Sequence, residues 1–299
     1  MTLTDPIFVP RISNPFDRLM LRLINDQRDL PFIYLILQIA GTVIPFAVYL
    51  FIPGNFSWIL AALYTGMVLL YFLGPVILML HNTSHRRLFK KEKNALNYLI
   101  PWIIAPFFGQ SPETYRAHHV FMHHLENNLL PDLSTTMPYQ RDRARDFVRY
   151  FCRFFFVGIF DLSRYFGASH RLLKRVLTGE IFFYLLCGGL LFLNWKAALT
   201  VLVFPFVVAR FAMMAGNWAQ HAFIDPKTPD NNFRNSITCV NSTYNRRCFN
   251  DGYHIGHHLK ASQHWTDMPG DFLANLNRYR SEEAIVFKKI DYFYIWISL

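Results

Sequence analysis

The sequence is short of charge and of cysteine. Only 17% of its 299 residues are charged, whereas a typical soluble domain has about 25%. The four cysteines form no CxxC pair, which argues against a disulfide framework or a cysteine-based zinc site. The first 30 residues contain no short apolar core, so we expect no cleavable signal peptide. The low proportion of charged residues, together with 53% hydrophobic residues, favours a membrane protein.

Four long apolar runs predict membrane-spanning helices. They are residues 32–52, 57–80, 179–195 and 197–216. The first two runs carry no charge, and the Pro-Gly-Asn sequence between them predicts a tight turn and therefore a hairpin. The last two, charged only at Glu180 and Arg210, predict a second hairpin. We therefore expect an all-α integral membrane protein with four transmembrane helices in two hairpins, a cytoplasmic histidine-rich helical cap and a single domain, residues 1–299.

Two further apolar segments are less suited to crossing a bilayer. Residues 95–109 are short and interrupted by proline, and residues 147–166 are rich in Phe but carry three arginines and an aspartate. We expect both segments to lie in the membrane interface or to cover the core. Buried helices of a cytosolic domain would show the same pattern.

Positive charge exceeds negative charge by ten and falls mainly outside the predicted spans. Of the 30 Lys and Arg residues, only Lys196 and Arg210 lie within the second hairpin. Because cytoplasmic segments are enriched in Lys and Arg, we expect both termini and residues 81–178 to be cytoplasmic. The membrane would be a bacterial plasma membrane or the endoplasmic reticulum. The membrane topology thus explains the surplus of positive charge, which does not have to indicate binding to nucleic acid. The charge could also help to bind an acidic electron carrier.

Nine of the twelve histidines fall into four groups with helical spacing. They are His81 and His85 in HNTSH, His119, His123 and His124 in HVFMHH, His221 in NWAQH, and His254, His257 and His258 in HIGHH. Residues i, i+3 and i+4 share one helix face, and the predicted topology places all four groups on one side of the membrane. His118 could replace His119 as a ligand, but His119 shares a face with His123 and is preferred.

This many imidazoles predict a site for two metal ions. Imidazole binds iron, zinc, copper and nickel, and nine ligands are too many for one tetrahedral zinc. The zinc-protease motif HExxH is absent, and no Glu precedes a His by three residues as in soluble di-iron proteins. A two-metal centre beside a large apolar volume suits oxidation of a lipid-soluble chain. A non-catalytic membrane protein that binds or transports metal is the alternative, but the spans contain no ligands for a metal path.

The four motifs, their order and the two hairpins resemble the membrane fatty-acid desaturase/hydroxylase superfamily. This superfamily includes alkane hydroxylases, carotenoid ketolases and alkene-forming fatty-acid decarboxylases. The resemblance implies that the nine histidines hold two iron ions, which activate O2 with two external electrons. It also implies that Asn217, one helical turn before His221, holds a metal ion through water.

The second motif departs from the HxxHH of typical desaturases. Its HxxxHH spacing is closer to that of alkane hydroxylases, whereas GYHIGHHLKASQHWTDMP is closer to desaturases and carotenoid ketolases. The resemblance implies O2-dependent oxidation of a fatty acyl chain, with desaturation as the first expectation. The alternatives are hydroxylation, oxidative decarboxylation to a terminal alkene, and carotenoid oxidation. Because no HPGG-type haem segment is visible, the electrons must come from a separate ferredoxin-like or cytochrome b5-like donor.

Other polar residues are candidates for supporting roles. Metal-bound histidines usually donate their second N–H to a carboxylate or a carbonyl. Glu126, Asp132, Asp225 and Asp251 lie within a few residues of the motifs and are candidates for this role. Arg210, inside a span, could meet an acyl carboxylate, pair with an acid or extend to the interface. A substrate tunnel could be lined by Leu70, Phe72, Phe206 and Met213.

Overall fold

The computed structural model describes residues 2–8, 11, 12 and 14–299. Helix accounts for 68% of the protein and strand for 3%, so the prediction of a mostly helical fold is confirmed. The described residues form two compact units. The hairpin unit comprises Phe8–Tyr115 and Arg171–Arg210, and the histidine-rich unit comprises Met1–Ile7, Arg116–His170 and Phe211–Leu299.

Among the described residues, three helical runs are long and apolar enough to cross a membrane. They are Gln27–Phe51, Trp58–His85 and His170–Gln220. The helices that begin in the hairpin unit are Pro15–Leu21, Gln27–Asp29, Leu30–Gly41, Val43–Phe51, Trp58–Gly66, Met67–Phe72, Leu73–His85, Lys91–Tyr98, Leu99–Ile104, Ala105–Phe108, Thr114–His118, Leu199–Val203 and Phe204–Gln220. The helix His170–Ala198 begins one residue before the hairpin unit's second segment.

The first hairpin turns where Pro-Gly-Asn was expected to turn it. Gly54 has φ +87°, a conformation that glycine adopts without steric cost. Ser57 then caps the second helix, its Oγ accepting a hydrogen bond from the Leu60 N–H at 3.2 Å. The rings of Phe46 and Tyr64, on either side of the turn, meet edge to face with centroids 5.5 Å apart. The two helical runs are therefore packed antiparallel.

The predicted third and fourth spans both lie in the 51-residue run His170–Gln220. Its backbone leaves the helical region at Asn194, where φ is −154° and ψ is 94°. The Asn194 Oδ1 accepts a hydrogen bond from the Ala197 N–H at 3.2 Å and so restarts the helix. Phe183 and Phe206, at similar distances from this break, stack with centroids 5.3 Å apart. The chain therefore reverses direction at Asn194.

Arg210 is held inside the hairpin unit rather than extended to an interface. Its Nη1 donates to the Gly109 carbonyl at 2.6 Å, and its guanidinium lies 3.6 Å from the ring centroid of Phe206. Its Nη2 lies 3.9 Å from the Glu180 carboxylate, which also accepts a hydrogen bond from the Ser111 hydroxyl. Of the roles considered for Arg210, pairing with an acid is the one the contacts support.

Leu70 does not fit the tunnel that the sequence suggested, because its side chain is 78% exposed. It lies in the π-helical turn Met67–Phe72, which changes the helical phase in a way that the apolar pattern does not reveal. Phe72 is buried. Phe206 contacts Phe183 as well as the guanidinium described above.

The histidine-rich unit combines short helices with one two-stranded parallel sheet, which the all-α prediction did not include. Its helices are His119–His123, His124–Glu126, Ala144–Tyr165, Phe166–Ala168, Asn232–Asn235, Thr243–Arg247, His254–Leu259, Met268–Ala274, Leu276–Ser281 and Tyr292–Ser298. Its strands are Thr238–Val240 and Val286–Lys288, with Thr238 opposite Val286. A buried apolar cluster supports the helix His254–Leu259: Phe233, Val240, Tyr253, Ile255, Met268, Phe272 and Tyr279.

Hydrogen bonds attach the N-terminal segment, residues 2–7, to this unit. The buried Asp5 carboxylate accepts hydrogen bonds from the Tyr253 hydroxyl at 2.6 Å and from the Asn241 N–H at 2.7 Å. The Asn250 amide donates to the Pro6 carbonyl at 2.9 Å. Tyr253 immediately precedes the helix His254–Leu259, so the segment supports the start of the helix that carries three of the histidines.

The two weaker apolar segments are helical. Residues 95–109 lie largely within Lys91–Tyr98, Leu99–Ile104 and Ala105–Phe108. Residues 147–166 lie largely within Ala144–Tyr165, which buries Phe147 and Tyr150 and exposes Phe156, Phe160 and Arg153. Exposed phenylalanine beside arginine is typical of a helix at a membrane surface. Its position relative to a bilayer stays a prediction.

Candidate metal centre

Seven of the nine motif histidines lie in the histidine-rich unit, and their ring nitrogens gather into two clusters. The four-histidine cluster consists of His123, His221, His254 and His258. The three-histidine cluster consists of His119, His124 and His257. Within each cluster every residue offers a nitrogen that lies within 4.8 Å of the others. Both clusters thus bring together residues that are more than 100 positions apart in sequence.

The spacing of the facing Nε2 atoms is that of ligands around an ion. The separations are 3.0 Å for His254–His258, 3.3 Å for His221–His254, 3.1 Å for His119–His124 and 2.9 Å for His124–His257. Imidazole nitrogens that bind one metal ion at about 2.0–2.1 Å lie about 2.9–3.4 Å apart when their bond angles are between about 90° and 109°. These four separations therefore fit pairs of ligands on one ion in each cluster.

The consecutive pairs His123–His124 and His257–His258 are each divided between the two clusters. Neighbouring residues of an α-helix project about 100° apart, so two consecutive side chains on one helix can face two different sites. His123 belongs to the four-histidine cluster and His124 to the three-histidine cluster, and His258 and His257 divide in the same way. The expectation that each motif presents its histidines in one direction is therefore too simple.

A π-helical turn explains how HxxxHH forms part of this site. The His124 N–H donates to the carbonyl of His119, five residues earlier. Residues five apart in an α-helix differ by about 140° around the axis, whereas the wider turn brings the Nε2 atoms of His119 and His124 to 3.1 Å. His119 and His123 do stack, with centroids 5.7 Å apart, but they belong to different clusters. A shared face with His123 is therefore not what brings His119 to its cluster.

His118 lies outside both clusters. Its ring meets Phe154 edge to face, with centroids 5.8 Å apart. Burial lowers the pKa of His118 to about 4, so its ring is neutral at physiological pH. Of the two neighbouring histidines, His119 is the one that the structure places among the clustered rings.

Asp132 holds the outer nitrogen of His123. Its carboxylate lies 2.7 Å from the His123 Nδ1 and also accepts hydrogen bonds from the N–H and hydroxyl of Ser134, both at 2.7 Å, and from the Asn128 N–H at 3.0 Å. Burial would raise the pKa of Asp132, but attraction to His123 and these hydrogen bonds outweigh burial, and the pKa lies below its usual range. A carboxylate at Nδ1 leaves the His123 Nε2 free to bind a cation.

Two asparagines hold the outer nitrogens of His221 and His258. The His221 Nδ1 donates to the backbone carbonyl of Asn235 at 2.9 Å and to its Oδ1 at 2.8 Å. The His258 Nδ1 donates to the Asn127 Oδ1 at 2.9 Å. Sequence reasoning missed both asparagines, because asparagine near a motif ordinarily indicates a turn.

The hydrogen bonds at the Nδ1 atoms show whether the clustered Nε2 atoms are able to bind a metal ion. Since carbonyl oxygens only accept hydrogen bonds, the proton of His221 and of His258 is on Nδ1, and each Nε2 carries a lone pair. Burial lowers the pKa of His221 to about 4 and that of His258 well below its ordinary value, so both rings are neutral. Both lone pairs face the Nε2 of His254, which can donate at most one hydrogen. A cation at this point satisfies all three nitrogens.

The other three acids proposed to support the metal bind other side chains. Glu126 accepts a hydrogen bond from the Tyr165 hydroxyl at 2.5 Å. Asp225 lies 3.4 Å from the Arg234 guanidinium. Asp251 accepts a hydrogen bond from the Tyr244 hydroxyl at 2.9 Å.

Asn217 and the first histidine motif occupy helix ends. Asn217 lies one turn before His221, and its amide donates to the Ser134 carbonyl at 2.9 Å and to the Tyr150 hydroxyl at 2.7 Å. Its binding of a metal ion through water stays a prediction. His81 and His85 lie in the hairpin unit, at the end of the helix Leu73–His85, with ring centroids 5.3 Å apart.

Comparison with known proteins identifies the class to which this chain belongs. Residues 57–270 match the family model described as fatty acid desaturase. The match covers well over half of the chain, which therefore belongs to this family, and the resemblance to the membrane fatty-acid desaturase/hydroxylase superfamily is confirmed. No curated protein and no solved structure gave a match. The family and the three apolar helices indicate an integral membrane oxidoreductase with a fatty acyl substrate.

Proposed function

We propose that this protein is a membrane-bound di-iron enzyme that uses O2 to desaturate a fatty acyl chain. The observation that carries the proposal is the four-histidine cluster, in which three buried rings and one half-buried ring bring their nitrogens within 4.8 Å of one another. The family and the histidine clusters both fit di-iron oxidation of fatty acids. Bound iron would activate O2 for attack on an unactivated C–H bond, with two electrons from a separate ferredoxin-like or cytochrome b5-like donor.

Nine histidines divide between the two ions in this proposal. One ion binds the four-histidine cluster, and the other binds the three-histidine cluster. The assignment of His81 and His85 as further ligands rests on the first motif of the sequence, and that of Asn217 as a ligand through water rests on the family. Imidazole ligands alone would suit zinc as well as iron, so the preference for iron also rests on the family.

The residues around the clusters orient the rings and exclude water. Asp132, Asn127 and Asn235 each hold one ring through its Nδ1. His221 is fully buried, so bulk water does not compete for its Nε2. Where the acyl carbon lies relative to the ions then decides the product, because small displacements change which bond reacts. Removal of a second hydrogen from the neighbouring carbon gives a double bond.

Hydroxylation is the second candidate function. The observation that favours it is the π-helical turn of the HxxxHH motif, which sets this chain apart from the HxxHH pattern of typical desaturases. Oxidative decarboxylation to an alkene and oxidation of a carotenoid would use the same residues. A protein that only binds metal is the candidate from another class.

Elemental analysis and a product assay test the proposal together. Protein purified anaerobically from iron-replete cells should contain about two irons per chain. With a reduced donor, O2 and fatty acyl substrates, mass spectrometry should show loss of two hydrogens. Gain of one oxygen or loss of the carboxyl carbon would instead assign hydroxylation or decarboxylation. Stoichiometric zinc, or the absence of metal, would contradict the di-iron enzyme and favour the metal-binding alternative.

We further propose that the chain crosses the membrane four times, with both termini cytoplasmic. The reversal at Asn194 and the distribution of Lys and Arg support this topology. Cysteines introduced by Asn55→Cys and Lys196→Cys should react with an impermeant maleimide added to intact cells, whereas those from Lys91→Cys and Ser281→Cys should react only after lysis. The unsubstituted protein, in which three of four cysteines are buried, is the blank. Labelling of Lys91→Cys in intact cells would contradict the topology.

A further inference from the structure

Asn127 and Asn235 are bound to each other as well as to the four-histidine cluster. The Asn235 side chain donates to the Asn127 carbonyl and to the Pro229 carbonyl, both at 2.6 Å. The Asn127 side chain donates to the Asn232 Oδ1 at 2.7 Å. Asn235 is only 1% exposed. The two amides therefore form one connected network behind His221 and His258.

This network sets how the two amides face. The Asn235 amide nitrogen, which can only donate, points at two backbone carbonyls, so its Oδ1 must face the His221 Nδ1, 2.8 Å away. The Asn127 amide nitrogen points at the Asn232 Oδ1, and its own Oδ1 faces the His258 Nδ1 at 2.9 Å. The amides thus accept from Nδ1–H and determine the tautomer of both rings.

We propose that Asn127 and Asn235 act together as positioning residues for the four-histidine metal site. They hold His258 and His221 in the Nδ1–H tautomer, with Nε2 directed inward, before a metal ion binds. Metal binding then requires neither rotation of these rings nor transfer of their protons. The identity of the ion as iron rests on the proposed function, but the positioning role applies to any ion that the imidazoles bind.

The network also explains why these partners are amides. Asp132 already places one carboxylate against a ring of this cluster. An amide oxygen accepts the same hydrogen bond without adding negative charge. Two more carboxylates would place three negative charges around four rings in a buried site, where mutual repulsion between them is weakly screened.

The first test removes the Asn127 amide without disturbing the backbone. Asn127 has φ +49° and ψ 48°, in the left-handed region, where glycine is tolerated best. In Asn127→Gly, we expect Fe(II) affinity at one of the two sites to fall about 10- to 100-fold, the usual effect of losing an outer partner of a ligand. Competition with a chromogenic chelator under anaerobic conditions measures this affinity. Mössbauer spectra of ⁵⁷Fe-loaded protein should change for one iron and remain unchanged for the other.

Two further variants separate positioning from a general structural role. Asn127→Asp keeps the acceptor for His258, and the Asn232 amide can turn over to donate to it, so two-metal binding should be retained. Lys289→Gly is the matched control, because Lys289 also has a left-handed backbone, with φ +67°, but its side chain is exposed and lies outside the four-histidine cluster. Its iron affinity and spectra should match those of the unsubstituted protein.

The proposal is overturned if Asn127→Gly binds two irons with unchanged affinity and spectra, or if Asn127→Asp loses as much affinity as Asn127→Gly. Should the glycine variant not fold, ¹⁵N spectra of histidine-labelled, metal-free native protein provide the second measurement. They should show Nδ1–H tautomers for His221 and His258, and Nε2–H tautomers would equally overturn the proposal. Repeating the titrations with Co(II) separates this outcome from failure of the proposed function, since loss of one site would be seen even if the native protein did not use iron.

Discussion

His257→Ala is expected to abolish product formation and to remove about one iron per chain. The His257 Nε2 lies 2.9 Å from that of His124, and the side chain is buried, so water cannot readily replace the lost ligand. Loss of an outer partner alone costs about 10- to 100-fold in affinity or activity, and loss of a ligand should exceed this. Product is measured by mass spectrometry and iron by elemental analysis of the same sample.

His118→Ala is the matched control for this prediction. His118 is adjacent to the second motif but packs against Phe154, outside both clusters. Its replacement should leave about two irons per chain. Unchanged turnover in His257→Ala, or loss of iron in His118→Ala, would contradict the ligand assignment.

Asp132→Asn is expected to lower turnover about 10- to 100-fold. The Asp132 carboxylate accepts from four donors, on His123, Ser134 and Asn128. In either orientation an asparagine would point its NH2 group at two of these donors. Each buried donor left without an acceptor costs about 1–3 kcal/mol, so the variant should also have a lower melting temperature. Turnover, iron content and thermal unfolding in detergent are the measurements.

Asp225→Asn separates this effect from a general loss of negative charge. Asp225 also follows a histidine motif closely, but it is half-exposed and accepts hydrogen bonds from the Lys227 N–H, the Thr228 hydroxyl and the Arg234 guanidinium. Exposed ion pairs contribute little, about 0–1 kcal/mol, so turnover should be close to that of the unsubstituted enzyme. Equal losses in the two variants would show that Asp132 does not act through His123.

The sequence indicated the clustered histidines because their spacing is a local property. His254 and His258 are four residues apart, and an α-helix places them on one side wherever it lies in the fold. The hairpin turns were predictable for the same reason, since Pro-Gly-Asn and the break at Asn194 act within a few residues. Helical spacing also predicted the His81–His85 pair, whose rings lie 5.3 Å apart.

The division of the histidines between two clusters could not be predicted from their spacing alone. The pairing of His119 with His124 depends on a π-helical turn, whereas helical spacing in a sequence is recognised from the α-helical period of 3.6 residues. Whether a segment widens in this way depends on tertiary packing around it. Leu70 lies in a second π-helical turn, so an α-helical pattern did not predict that it is exposed.

Polar contacts between residues that are far apart in the chain could not be predicted from the sequence either. Asn235 meets Asn127 across 108 positions, and Arg210 meets Gly109 across 101. Asparagine and arginine have ordinary roles in loops and at interfaces, so nothing in their local sequence singled out these pairs. Asp132 was proposed because it lies within a few residues of a histidine motif, but the other three acids proposed on the same grounds bind Tyr165, Arg234 and Tyr244.

The attachment of residues 2–7 has a consequence for biosynthesis. Asp5 is synthesised 248 residues before its partner Tyr253. At about 5–20 residues per second, the ribosome needs about 12–50 s to cover that distance, and the predicted spans emerge in the meantime. The N-terminal segment therefore cannot form these hydrogen bonds until the last histidine motif has been made. Completion of the histidine-rich unit is then among the final steps of synthesis, after the apolar runs have been made.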